Sequence, residues 1–264
     1  MSQAEPVLLV RREAGVAWLT LNRPDAGNAI DMALATALRD VALELEQDAT
    51  VRCVVITGAG KVFCAGGDVP SFAAAPEGPG AYLHKLAGTF HEAAVVLARM
   101  PKPVVTAING AAAGAGMSLA IGADIALAGQ KASFLPAYGA IGLTPDGGMT
   151  WSLPRLVGLR HAQEIILTNR RVGADDALGL GMVNRVVEDG ALLAEAAVLA
   201  ERLAGGAVGA AAKVRSLLAS SFETALPAQL DRELEGISAA AAGAEGREGV
   251  AAYLEKRAPN FRDA

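Results

Sequence analysis

The sequence predicts an α/β fold in which a strand, a glycine-rich turn and a helix recur, followed by an all-helical C-terminal region. Three observations predict it. Apolar, β-branched runs at residues 16–21, 51–57 and 104–108 read as strands. The second and third lead into glycine-dense turns, Phe63-Cys64-Ala65-Gly66-Gly67-Asp68 and Ile108-Asn109-Gly110-Ala111-Ala112-Ala113-Gly114-Ala115-Gly116. From Leu192 onward only alanine-rich stretches with apolar residues at helical spacing remain.

Taken in order, strands at 7–10 and 16–21 flank Glu13-Ala14-Gly15 and predict a hairpin, which Asn22-Arg23-Pro24-Asp25 ends. A helix follows over 31–47. The strand at 51–57 is apolar apart from Arg52, so both its faces are expected to be covered. After the first glycine turn comes a Pro/Gly-rich loop at 76–80, then a helix over 81–100 stopped by Pro101 and Pro103. The strand at 104–108, the second glycine turn and a helix to about Gly122 repeat the unit, and 125–127 and 132–134 add short strands. Helices are expected at 192–203, 207–222, 226–242 and 246–256, which divides the chain into a core of residues 1–191 and a helical region of 192–264. Helices with so few charges on some faces also suggest subunit contacts.

Composition narrows the function. A chain of 264 residues can bury a full core. Hydrophobic residues are 52% but aromatics only 4%, so small side chains must pack closely. Net charge is −5, and no basic stretch is interleaved with aromatics, which argues against a nucleic-acid partner. Met1–Pro6 carries no basic segment followed by an apolar one, so no leader is expected and the cytoplasm is the expected location. Cys53 and Cys64 are too few and wrongly spaced for a zinc site or a disulfide framework, and no metal is expected. Residues 103–123 are uncharged and long enough to cross a bilayer, but Pro103, Asn109, Ser118 and four glycines fit a buried strand, turn and helix better. The same stretch fails as a dinucleotide loop, because Leu119 stands at the third glycine position.

The chemistry sits in the turns. Glycines let the backbone approach a ligand, and free N–H groups at a helix start point at negative charge, so the two turns read as a two-part cradle for a developing oxyanion. A third turn, Thr144-Pro145-Asp146-Gly147-Gly148, supplies an acid where the chain has almost none: from Pro101 to Arg160 the only carboxylates are Asp124 and Asp146. Two donors and one isolated carboxylate predict proton transfer next to a carbonyl. Each residue also has a plainer account. An aspartate after proline is commonly a turn residue, Asp68 reads as the N-cap of the next helix, and Asp124 as a pin between helix and strand. Ser118 has no nucleophile context, His84 and His91 read as solvated or packing side chains, and Tyr138 as a shaper of the pocket. Glu92 is the reserve acid.

The turns just quoted, with Leu153-Pro154-Arg155-Leu156-Val157-Gly158, Gly181-Met182-Val183-Asn184-Arg185-Val186-Val187 and Tyr253-Leu254-Glu255-Lys256-Arg257, resemble the enoyl-CoA hydratase/isomerase (crotonase) superfamily. The resemblance runs from about Val7 to Arg262. It implies a crotonase-like spiral of ββα units and a C-terminal helical region that makes trimers, often paired into hexamers. It implies an acyl-CoA thioester substrate, with coenzyme A as part of the substrate and no separate cofactor. By motif position, the N–H groups of Gly67 and Ala115 would hold the thioester oxygen. Ala65, Gly66 and Asp68 would lie near the adenine end, Arg23 would contact a phosphate, and Tyr253 and Lys256 would reach the CoA of a neighbouring subunit. Hydratases of the family place glutamates where this chain has Ser118 and Tyr138, so the two carboxylates that activate water are absent. Asp146 matches the single acid of a branch resembling Δ3,Δ2-enoyl-CoA isomerases and the ring-opening isomerase of phenylacetate catabolism. The expected activity is a shift of a double bond from C3 to C2 of an enoyl-CoA, with Asp146 as base. Three alternatives stay open: hydration assisted by Glu92, opening of an aromatic epoxide thioester, and binding of a CoA ester without turnover.

Overall fold

Three of the predicted strands, at 51–57, 104–108 and 125–127, are each followed by a shorter one, and these pairs are dealt into two sheets. The computed structural model describes residues 5–264; Met1–Ala4, on which part of the expectation of no leader rests, lie outside the described residues. β1 (Leu8–Glu13) and β2 (Val16–Leu21) form the antiparallel hairpin, turning at Ala14 and Gly15, both at positive φ. α1 (Met32–Gln47) starts at Asp31, whose carboxylate accepts the Leu34 N–H at 2.8 Å, and it buries Leu34, Leu38, Ala42 and Leu45 along one face.

Three strand–strand–helix units follow. β3 (Cys53–Gly58) and β4 (Val62–Cys64) lead to α2 (Val69–Ala73) and to α3 (Pro79–Arg99), which packs on α1. β5 (Val104–Ile108) and β6 (Ala111–Ala113) lead to α4 (Ala115–Ile121). β7 (Ile125–Gly129) and β8 (Ser133–Leu135) lead to α5 (Met149–Leu167), which breaks at Gly158. Then come β9 (Val172–Gly173), α6 (Ala174–Gly179) and β10 (Arg185–Val187). The first strand of each unit joins a six-stranded sheet, β1-β2-β3-β5-β7-β10, parallel from β2 onward. The second joins a four-stranded sheet, β4-β6-β8-β9, parallel from β4 to β8. The glycine turns therefore contain short strands, β4 and β6, that three-residue segments cannot announce by alternation. The stretch 103–123 divides into β5, β6 and α4, and among the described residues no helix is long and apolar enough to cross a membrane.

Alternation along the large sheet sorts its side chains. Leu19, Val54, Ile56 and Ile108 join the main core with Phe63, Phe90 and Phe134, whereas Trp18, Val55, Val105 and Leu127 face α7 (Leu192–Gly205) through its Leu192, Ala196, Leu199 and Ala200. α8 (Val208–Ser221), α9 (Leu226–Ala242) and α10 (Ala244–Glu255) complete the chain. Asp124 does what was expected of it: one oxygen accepts the Val104 N–H at 2.7 Å. Its carboxylate also pairs with Arg215 of α8, whose guanidinium donates to the carbonyls of Leu97 and Ala98 at the end of α3.

Candidate active site

The repeat explains how residues far apart in sequence meet. Gly67 and Asp146 each lie after the second strand of a unit and before its helix, and Ala115 is the first residue of the helix that follows β6. Since β4, β6 and β8 are neighbours in one parallel sheet, their C-terminal ends open side by side. The first two turns touch. Gly66 has φ of 97°, and a Cβ there would lie 2.8 Å from the carbonyl oxygen of Ala113 and 3.4 Å from Cα of Gly114. Gly116 similarly leaves no room for a side chain, since a Cβ would sit 2.3 Å from the carbonyl oxygen of Cys64. Only glycine permits this approach. Among the described residues, no backbone carbonyl accepts the N–H of Gly67 or of Ala115, and both residues line one cavity.

That cavity, of about 110 Å³, also carries Asp146 and Tyr138. Its walls are apolar: Ile30, Phe72, Leu86, Phe90, Ile141 and Leu143 are among them. The wall runs from Phe72 along α3 to Phe90 and is closed by Ile141 and Leu143 beyond Tyr138. Tyr138 donates its hydroxyl to Oδ1 of Asp146 at 2.5 Å. Burial, and next the charge of Asp146, drive the phenol far above its ordinary titration range, so it stays a donor. The Ser118 hydroxyl donates to the backbone carbonyl of Asp146 at 2.8 Å and fixes the turn. His91, on α3, accepts the Gly147 N–H at Nε2 (3.0 Å), and the same nitrogen is 3.6 Å from Oδ2 of Asp146. Accepting a bond there leaves the ring proton on Nδ1.

Two residues therefore do more than the sequence suggested. Tyr138 holds the acid as well as shaping the pocket, and His91 buttresses the acid's turn. Nothing local marks either. Tyr138 is aimed by Ala137, at φ of 67°, whose N–H is held by Oδ1 of Asn169 at 2.8 Å, a partner 32 residues away. Ala65 lines the cavity beside Gly67. Asp68 caps α2, accepting the Ser71 N–H at 3.1 Å, and pairs with Arg23 at 2.9 Å. Arg23 also meets Asp31 at 3.2 Å. Burial pushes the Asp68 carboxyl up, but the Arg23 hydrogen bond, with those from Ser71, outweighs it and holds the group below its ordinary value. Tyr253 and Lys256 lie at the end of α10, the tyrosine 83% exposed, and neither lines the cavity. Glu92 is exposed and faces Arg39 at 3.7 Å, away from the cavity lining.

The sequence profile of the enoyl-CoA hydratase/isomerase family matches residues 11–264. The chain belongs to that family. It is 39% identical over 255 residues to the 1,2-epoxyphenylacetyl-CoA isomerase of Escherichia coli, covering 96% of this chain and 97% of that one. It is 32% identical over 255 residues to the trans-2-decenoyl-[acyl-carrier-protein] isomerase of Streptococcus mutans, covering 96% and 97%. The solved enoyl-CoA hydratase of Mycobacterium smegmatis superposes with a TM-score of 0.91 at 35% identity, covering 98% of this chain and all of that one. The ββα spiral and the enzymatic class are thus properties of this chain, and the family it belongs to acts on acyl-CoA thioesters. In this enoyl-CoA hydratase/isomerase Ser118 and Tyr138, where the resemblance expects the hydratases' glutamates, both donate to Asp146, one to its carbonyl and one to its carboxylate.

Proposed function

We propose that this enzyme shifts a double bond from C3 to C2 of an enoyl-CoA, using one carboxylate and an oxyanion hole. One observation carries the reading: Asp146 is the sole carboxylate among the residues lining the cavity that holds the free N–H groups of Gly67 and Ala115. The thioester oxygen accepts from both N–H groups, which makes the C2 proton acidic. Asp146 takes that proton, the negative charge spreads as a dienolate onto the oxygen, and the protonated acid returns the proton to C4. The C2–C3 double bond forms as the C3–C4 bond becomes single, so no water is consumed. No separate cofactor enters. Ala65, Gly66 and Asp68 flank the nucleotide end of coenzyme A, with Arg23 toward a phosphate, and Tyr253 and Lys256 are supplied to a neighbouring subunit's CoA. A homotrimer or a dimer of trimers is supported by the exposed row Leu226, Leu230, Leu234 and Ile237 on α9.

A second reading, opening of an aromatic epoxide CoA thioester, is supported by the relative of that name and by the aromatic side chains Phe72 and Phe90 in the cavity wall. The test is direct. The protein and its Asp146→Asn variant are each given 3-hexenoyl-CoA and crotonyl-CoA, and the absorbance of the conjugated thioester is followed. The isomerase gives a rise with the first substrate that the variant lacks, by about 10²–10⁴-fold, while CoA-ester binding persists. Near wild-type turnover by the variant refutes the role of Asp146. Loss of absorbance with crotonyl-CoA restores hydration, and silence with both substrates moves the second reading forward.

A further inference from the structure

Two spaces lie back to back at Asp146. One is the 110 Å³ cavity described above; the other is an apolar groove of about 400 Å³ between α3, α4 and the start of α5, lined by Val95, Leu97, Leu119 and Trp151 among others. The partition between them is one residue thick. On α3, Phe90 faces the cavity and the next residue, His91, faces the groove; in the acid's turn, Asp146 faces the cavity and Gly147 the groove. The two segments meet without a gap, since a Cβ at Gly147 would lie 2.6 Å from Cε1 of Phe90 and 2.9 Å from Cβ of Ser118. Phe90 is 2% exposed, so apart from the edge it turns to the cavity its ring is held by packing.

We infer that Phe90 ends the acyl pocket and restricts the enzyme to acyl groups of about six carbons or a single ring. This rests on the cavity being the acyl site, as in the function proposed above. The size follows from the volume as an upper bound: a dry cavity of about 150 Å³ lined by similar side chains takes one benzene, so a site of about 110 Å³ that is open at its mouth takes a group of at most that size. A longer chain entering past Gly67 and Ala115 meets the Phe90 ring, and beyond that ring lies apolar space the chain does not reach. Opening the partition gives the chain's end a hydrophobic groove to enter, and each methylene then buried strengthens binding by about fourfold.

The experiment measures binding rather than turnover, so it stands apart from the isomerase reading. Affinities of butyryl-, hexanoyl- and decanoyl-CoA are determined by calorimetry for the wild type, Phe90→Ala and Phe90→Leu, with thermal unfolding to confirm that each is folded; the leucine variant keeps most of the packing. The wild type is expected to bind hexanoyl-CoA at least about tenfold more tightly than decanoyl-CoA, and Phe90→Ala to remove or invert that preference, with Phe90→Leu intermediate. Adding Val95→Trp, which fills the groove behind the wall, should cancel the gain in Phe90→Ala and leave the wild-type profile unchanged. An identical length profile in the wild type and both Phe90 variants overturns the inference, as does a wild type that already prefers decanoyl-CoA. A gain that survives Val95→Trp overturns the route into the groove. If 3-enoyl substrates are not isomerised while the length profile still shifts, the pocket assignment stands and the reaction falls.

Discussion

Replacing Tyr138 by phenylalanine removes one hydroxyl from the site and leaves the ring to pack, so it isolates the bond that holds the base. The phenol donates to Oδ1 of Asp146 at 2.5 Å, and burial together with the acid's charge keeps it protonated. A hydrogen bond to a charged group contributes about 1.5–3 kcal/mol. Misplacing a reacting group by an ångström costs about a hundredfold, and the remaining neighbour of the carboxylate, His91, stands at 3.6 Å and already accepts from Gly147. Loss of the bond should therefore lower kcat by about ten- to a hundredfold with KM unchanged. Steady-state kinetics with 3-hexenoyl-CoA, for wild type and Tyr138→Phe, measures both quantities. A variant as fast as wild type, or one whose loss lies wholly in KM, refutes the claim that this bond positions the acid.

The ion pair behind the first turn makes a prediction of stability. Arg23→Met leaves the largely buried Asp68 without its guanidinium and should cost about 2 kcal/mol, lowering Tm by about 4–8 °C. Because the folded value of Asp68 is depressed, its contribution is present above the unfolded carboxyl range near pH 4 and is lost as pH falls through the folded value. The Tm difference between wild type and variant should therefore shrink on acidification below pH 4; a difference that stays constant refutes the assignment. Gly147→Ala should unfold more easily and lose activity together: φ is 61°, which costs about 1–2 kcal/mol for a non-glycine residue, and the new methyl group collides with the Phe90 ring at a further cost of about 1–3 kcal/mol. Denaturant titration checks it, and a variant of wild-type stability would mean that this turn is free to move.

The limits of reading this chain follow from the range of the forces involved. The start of α1 near Asp31, the hairpin turn at Ala14-Gly15 and the proline stop after α3 were legible because each is decided within a few residues. β4 and β6 were not, because three residues acquire strand character only by pairing with partners some fifty residues apart in sequence, as Val62 does with Ala111. The acid was legible from its isolation among uncharged residues, and the two donor turns from their glycines. The companions of the acid were not. Tyr138 points at Asp146 because Asn169, beyond the whole of α5, holds Ala137 in a left-handed conformation that alanine adopts reluctantly. The resemblance offers Arg23 as a phosphate contact, but its ion pairs were not legible, because Asp31 and Asp68 converge on it only once β4 and α1 are in place. A motif of glycines tells where a backbone must come close; which side chain then leans on the acid is decided by contacts between units of the spiral. Asp146 without Tyr138 and His91 is a turn residue, and the tertiary fold that supplies those neighbours is what fits it for the role of base proposed above.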